Sequence, residues 1–563
     1  MKSIKYAILA MTAIFILLGP GIHKRAESSQ VDREMAVHNR DTCTDIIVGK
    51  NASVDGSVIT SHTGCCPECR VHIVPAQTHK KGTMAPVYYG LQDVKKPLNE
   101  YGKVIGSIPQ ADETYKYFHT GYPQINEHQL AIGESTLSQR DELKVDIDSG
   151  KQIMTIEQAM LFALQRCKKA REALALITSL VEEYGFLPSC GPESEALCIA
   201  DPDEAWVLEV FSVGKDWEPG SGELGAIWAA QRVPDDHVAV VPNWSIIKEI
   251  DLSKPDYFMA SKNYMEVAIK HGWYDPEGGK PFIWQEVYSP TPREWATSRF
   301  WLFFSTFAPK QKWPDKTLSS PLKGYDAYHQ YLEPLSTYPF SVKPEKKLSV
   351  QDVIAFQRSV FEGTIYDMTA DTDWLVPDGQ GGLKKSPLTT PFPTQDMREL
   401  LDITWRRMVS RGGYGMVAQL RGWLPPEIGG IYWFYLDNQH TSTYVPIYTG
   451  AQEISPLYKT YDPDRFSEDS ARWAIDFVDN LLYLRWQHAI KDLRAVRDPL
   501  EDEFFANIDA IDREALRLFK KDPELAKKYL TDTTRSGMER TVQMYKDLRN
   551  LLISKYTNNK LGL

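Results

Sequence analysis

Apolar runs at Ile46-Ile47-Val48 and Val58-Ile59, on either side of Asp55-Gly56, make residues 43–60 read as a strand, an Asp-Gly turn and a second strand. Residues 43–75 continue in the same manner, down to Arg70-Val71-His72-Ile73-Val74-Pro75. A further strand is expected at Gln129-Leu130-Ala131-Ile132-Gly133-Glu134-Ser135-Thr136, where an apolar run leads into polar side chains. Between Thr155 and Gly185 the period changes. Ala159, Met160, Phe162, Ala163, Leu164, Ala173, Leu174, Ala175, Ile177 and Leu180 recur at helical spacing, which predicts one or two amphipathic helices stopped at Gly185.

Strand patterns then return at 197–200, 205–211, 226–230 and 237–241, separated by Asp-Pro, Gly-Ser-Gly and Asp-Asp turns. Connections this short imply antiparallel neighbours. Residues 310–345, rich in Pro, Lys and Tyr, read as a long surface connection, and Leu348 to Glu362 as a helix. A hairpin is expected over 429–449 around Asp437-Asn438. Beyond Pro463 a charge-laced helical pattern runs to the end, as a tail packed on the core or used for assembly. The pattern as a whole is α+β, with residues 43–460 as the main domain and 461–563 as a helical C-terminal extension.

The first residues follow a different logic. Lys2 and Lys5 precede an apolar run from Tyr6 to Leu18 and then Gly19-Pro20-Gly21, the layout of an export signal over residues 1–26. An exported product, periplasmic or secreted, is expected; left uncleaved, the same segment would anchor the chain to a membrane. The polar stretch 27–42 reads as a spacer or a short propeptide. Net charge is −11, and because residues 1–42 carry +2, a chain beginning at Cys43 would carry −13. That balance argues against nucleic acid as a partner.

Seven cysteines, at 43, 65, 66, 69, 167, 190 and 198, leave at least one outside any pairing. The group Cys65-Cys66-Pro67-Glu68-Cys69 contains a C-x-x-C, yet no second Cys/His pair stands at zinc spacing. Bridges from this group to Cys190 or Cys198 fit an oxidising compartment better. No cofactor is called for, and no Walker A, G-x-G-x-x-G or H-E-x-x-H motif is present. Asn51-Ala52-Ser53 matches a glycosylation sequon, informative only in a eukaryotic secretory context.

Cys43 is the best candidate for chemistry. Read alone it is a buried strand cysteine or a disulfide partner. Cleavage between Thr42 and Cys43, however, would give one residue both a nucleophilic sulfur and an α-amino group with an unperturbed pKa of about 8. Such a residue carries its own base.

The ordered blocks Cys43-Thr44 with Val48-Gly49-Lys50, Ala52-Ser53 and Asp55-Gly56-Ser57, then Gly133-Glu134-Ser135-Thr136, Ile199-Ala200-Asp201-Pro202, Leu348 to Val353, Glu362-Gly363-Thr364, Tyr366 to Thr369, Trp423-Leu424-Pro425 and Gly429-Gly430 resemble the dipeptidase family of N-terminal-nucleophile (Ntn) hydrolases. That family includes the secernins and is related to the choloylglycine hydrolases. The resemblance implies an αββα sandwich of two antiparallel sheets with outer helices, and cleavage of short peptides by the thiol of Cys43. It also implies that Asn243, in Val241-Pro242-Asn243-Trp244, faces the nucleophile and helps hold the oxyanion. Glu134, Ser135 and Thr136 are candidates for the substrate cleft.

One departure from the family is clear. Many members carry Arg-x-x-Asp about twenty residues after the cysteine, and here His62 and Cys65 occupy those places. Neither Arg70 nor Asp45 is assigned to compensate, and His62 and Arg70 read as satisfied polar residues near the cysteine cluster. The alternatives are an amidase or acylase for non-peptide amides with the same nucleophile, or a catalytically silent exported binding protein, either one monomeric or a homo-oligomer.

Overall fold

The computed structural model describes residues 43–64, 66–92, 102–291, 294–313, 338–364, 366–370, 372–394, 396–397, 400, 409–410 and 412–557. The expected export signal, the 27–42 segment, Cys65 and most of the 310–345 connection lie outside them.

Fourteen strands build the two large sheets. In chain order they begin with β1 (Asp45–Val48), β2 (Val58–Gly64), β3 (His72–Val74), β4 (Tyr117–His119), β5 (Pro123–Asn126), β6 (Ala131–Leu137) and β7 (Ser194–Ala200). They continue with β8 (Ala205–Phe211), β9 (Ile227–Val233), β10 (Val238–Val241), β11 (Phe258–Ala260), β12 (Tyr414–Leu420), β13 (Gly430–Leu436) and β14 (Val445–Tyr448). One sheet has the order β10-β1-β2-β12-β13-β14, the other β11-β9-β8-β7-β6-β5-β4-β3. Every neighbour pair in both is antiparallel, as the short connections required.

The two sheets meet through β1 and β2 on one side and β6 and β7 on the other. Thr60 Oγ1 donates to the Cys198 carbonyl at 3.4 Å, and Gly133 lies so close to β2 that a Cβ there would stand 2.3 Å from the Ser61 oxygen. Only glycine permits that approach. Nearly all of β1, β2, β6, β7 and β8 is buried, which explains why their apolar runs are denser than the alternation of a half-exposed sheet.

Two helices, α1 (Ile156–Arg166) and α2 (Ala170–Tyr184), pack on β5, β7 and β8. Thr155 caps the first by accepting the Gln158 N–H, and Gly185 ends the second at φ +72°. The helical period expected from Thr155 to Gly185 is thus split into two helices, with the break at Cys167–Lys169. Next come α3 (Glu294–Phe307), rich in Phe and Trp, and α4 (Val350–Gln357), whose Ser349 and Asp352 form a capping box.

The C-terminal run forms α5 (Ala471–Leu482), α6 (Trp486–Phe519) and α7 (Pro523–Tyr556). These helices are packed on the core. α7 lies against β14, and Phe505 stacks on Trp433 at 4.1 Å between ring centroids, a contact worth about 1 kcal/mol beyond its area. Arg358 forms an ion pair with Glu501 at 2.6 Å, and Arg421 pairs with Asp512. Among the described residues, no helix is long and apolar enough to cross a membrane.

Candidate active site around Cys43

Register places Cys43. On β1, Asp45 lies opposite Val241 of β10 and Ile47 opposite Thr60 of β2. Cys43 lies two residues before β1, on the side of β10 and Asn243, and beyond the paired residues Thr44 N–H donates to Thr63 Oγ1 and Ile46 N–H to Ser61 Oγ. Cys43 is 2% exposed. Gly64 leaves room for two rings: a Cβ there would stand 2.8 Å from Tyr414 Cζ and 2.9 Å from His62 Nε2.

Asn243 is held from three directions. Its N–H donates to Ser135 Oγ at 3.1 Å, its Nδ2 donates to the Thr136 carbonyl at 3.1 Å, and its Oδ1 accepts from Arg299 Nη1 at 3.0 Å. Its φ of +63° is a left-handed conformation that asparagine tolerates better than most residues. The same Nη1 reaches the Cys43 carbonyl at 3.1 Å and Thr44 Oγ1 at 3.2 Å. One buried guanidinium therefore ties the strand of the cysteine to the asparagine beside it.

The loop after Asn243 is fixed by Glu209 on β8. Its carboxylate accepts from Ser245 Oγ at 2.5 Å, from the N–H groups of Ile246 and Ile247 at 2.7 and 3.2 Å, and from Trp284 Nε1 at 2.7 Å. Burial raises the Glu209 pKa, and these four bonds work the other way.

His62 Nδ1 lies 2.9 Å from the Glu134 carbonyl, 3.1 Å from the Glu134 N–H and 3.5 Å from Asp45 Oδ1. Nδ1 therefore faces both a carbonyl and an N–H of the Glu134 backbone, one an acceptor and the other a donor. Nε2 is buried without a hydrogen-bond partner, so His62 is not the fully satisfied residue expected from the sequence. Burial pushes its pKa down, partly offset by the charge and carbonyl of Glu134. Burial and the Glu134 charge push the Asp45 carboxyl well up, against the Thr63 amide. The histidine is thus a neutral imidazole.

Glu134, Ser135 and Thr136 are all buried, and they engage this centre through His62 and Asn243; Thr136 Oγ1 also donates to Glu134 Oε1 at 3.3 Å. Arg70 is paired with Glu68 and belongs to the cysteine segment, as expected. The disulfides expected from that segment do not form among the described residues. Cys198 sits buried in the middle of β7, Cys66 Sγ contacts Gln92 Oε1 at 2.8 Å, and burial lifts the Cys69 thiol to about 12. No group of three metal-ligating side chains occurs among the described residues.

Sequence reasoning missed Arg299 and Glu209. For Arg299 a signal existed: it is the only charged residue between Trp295 and Phe307, and a lone arginine in an aromatic helix must find buried acceptors.

Residues 42–498 match the model of a family described as peptidase family C69. A probable dipeptidase of Latilactobacillus sakei is 26% identical over 448 residues, covering 77% of this chain and 79% of the relative. A probable dipeptidase B of Streptococcus pyogenes serotype M1 is 23% identical over 530 residues, 92% of this chain and 94% of its own. A dipeptidase of Bifidobacterium longum is 24% identical over 477 residues, 77% of this chain and 75% of its own.

Proposed function

This chain belongs to peptidase family C69, and we propose that it is an exported dipeptidase acting through the Cys43 thiol once residues 1–42 are removed. The two facing sheets, with α1 and α2 outside one and α5 to α7 outside the other, are then the αββα sandwich of an Ntn hydrolase. The observation that carries the reading is the junction of Cys43 and Asn243 through Arg299 Nη1, which lies 3.1 Å from the carbonyl of one and 3.0 Å from the Oδ1 of the other.

The chemistry is acyl transfer. The sulfur attacks the peptide carbonyl, the carbonyl oxygen gains negative charge, and the second hydrogen of Asn243 Nδ2, the one not given to Thr136, is available to it. Arg299 holds the amide plane from its oxygen side, so the donor is oriented before substrate arrives. The leaving amine takes a proton, water then attacks the thioester, and the thiol is regenerated. Ser135 and Thr136 contribute to substrate handling by fixing Asn243.

Export rests on the basic and apolar pattern of residues 2–18. The test of function is hydrolysis of a dipeptide panel, with simple amides alongside, by the processed chain and by Cys43→Ala. Dipeptide cleavage that falls at least ~10³-fold in a variant with unchanged melting temperature supports the reading. Wild-type cleavage by Cys43→Ala refutes it.

A further inference from the structure

A row of residues crossing the second sheet holds Asn243 and the loop behind it. Ser135 of β6 lies opposite Ala196 of β7, Ala196 opposite Glu209 of β8, and Glu209 opposite Ala229 of β9. Directly opposite residues of antiparallel strands project to one face, so these four buried residues stand side by side. The two polar members of the row reach the same loop. Ser135 Oγ accepts the Asn243 N–H at 3.1 Å, and Glu209 takes the three residues after Trp244.

Glu209 Oε1 accepts the N–H groups of Ile246 and Ile247 at 2.7 and 3.2 Å, while Oε2 accepts Ser245 Oγ at 2.5 Å and Trp284 Nε1 at 2.7 Å. The two amides and the indole can only donate, so it is the charged carboxylate that satisfies them. Trp284 opens the short helix Trp284–Tyr288, which holds the loop from its other side. Its Trp284 N–H donates to the Lys248 carbonyl at 2.9 Å, and Gln285 Nε2 donates to the Ser245 carbonyl.

We propose that Glu209 is a positioning residue for the Cys43 reaction: by fixing Ser245, Ile246 and Ile247 it sets where Asn243 presents its second Nδ2 hydrogen. The proposal rests on Asn243 serving the oxyanion and names what keeps it in place. Thr136 and Arg299 fix the plane of the amide through its own nitrogen and oxygen. The backbone of Asn243 sits at φ +63°, and such a conformation persists only where its surroundings over-determine it. Ser135 secures the N–H of the turn, and Glu209 secures the chain that leaves it. An oxyanion donor displaced by about 1 Å costs on the order of 10²-fold in rate, so the path of this loop bears directly on turnover.

The experiment is a double-mutant cycle on dipeptide hydrolysis by the processed chain, pairing Glu209→Gln with Asn243→Gly. The glutamine keeps the shape but turns one acceptor oxygen into a donor group facing donors. Alone, Glu209→Gln is expected to lower kcat at least ~10-fold with KM within about 2-fold of wild type. Added to Asn243→Gly, it should lower kcat by no more than about 2-fold, since the amide it positions is gone. A general structural role gives the same fall in both backgrounds, so a larger second fall overturns the proposal, as does a first fall smaller than ~10-fold. Should Glu209→Gln not fold, Ser245→Ala, which removes one donor and keeps the carboxylate, goes through the same cycle. Its expected first fall is at least ~3-fold, and the same second-fall limit decides. Wild-type cleavage by Cys43→Ala would remove the nucleophile itself, whereas a full second fall in the Asn243→Gly background rejects only this role of Glu209.

Discussion

Arg299 and Asn243 are joined by a hydrogen bond of 3.0 Å inside the protein, and the same guanidinium nitrogen holds the backbone of Cys43 at 3.1 Å. A lysine could supply charge there but not a planar fork with several donors. Arg299→Lys is expected to lower dipeptide turnover about 10²-fold with a smaller change in KM, because the asparagine amide loses its fixed plane. Steady-state kinetics on the processed variant check this, and unchanged kcat would detach Arg299 from the site.

Asn243 combines an unusual backbone with a useful amide, and two substitutions separate them. Asn243→Gly keeps the left-handed φ available and removes the amide, so kcat should fall about 10²–10³-fold with little loss of thermal stability. Asn243→Ala loses the same amide and adds about 1–2 kcal/mol of backbone strain at φ +63°. Equal melting temperatures for the two variants would show that the turn carries no such strain.

Glu157, at the start of α1, is buried, and that burial raises its carboxyl from the usual range to about 7. Its folded-state pKa lies above the unfolded one, so its contribution to stability is fully present below about pH 4.5 and is lost as pH rises through 7. A shift of this size corresponds to about 3 kcal/mol. Glu157→Gln should therefore be more stable than wild type at pH 8 and show a flatter dependence between pH 5 and 8. Urea denaturation at both pH values measures it, and parallel curves would contradict the assignment.

Glu501 meets Arg358 through both oxygens, at 2.6 and 2.7 Å, and also accepts the Tyr444 N–H. Removing one member of a buried pair costs about 3–5 kcal/mol because the other is left charged and unpaired. Glu501→Ala is expected to lower stability by that amount, seen as a reduced denaturation midpoint. A cost below about 1 kcal/mol would mean that the Arg358–Glu501 pair does not hold α6 in place.

Much of this architecture is legible in the chain itself, and the reason is local. The Asp55-Gly56 turn, the helical stretch stopped at Gly185 and the strand 205–211 each depend on periodicity or turn chemistry within about ten residues. Cys43 and Asn243 were legible through the ordered blocks around them. The remainder of the site depends on register between distant strands. His62 comes beside Asp45 only because β1 and β2 pair with Ile47 opposite Thr60, and Arg299 reaches the cysteine across 256 positions of sequence. The expected bridge to Cys198 does not form among the described residues, because Cys198 is buried in the middle of a central strand, opposite Val207 and Gly133.

The central claim is that catalysis begins with a liberated Cys43, and N-terminal sequencing of the active, purified protein tests it most directly. The expected result is a single sequence starting Cys-Thr-Asp-Ile-Ile, with dipeptide hydrolysis rising in step with its appearance. Full hydrolytic activity in a chain that still carries Thr42 ahead of the cysteine would contradict it.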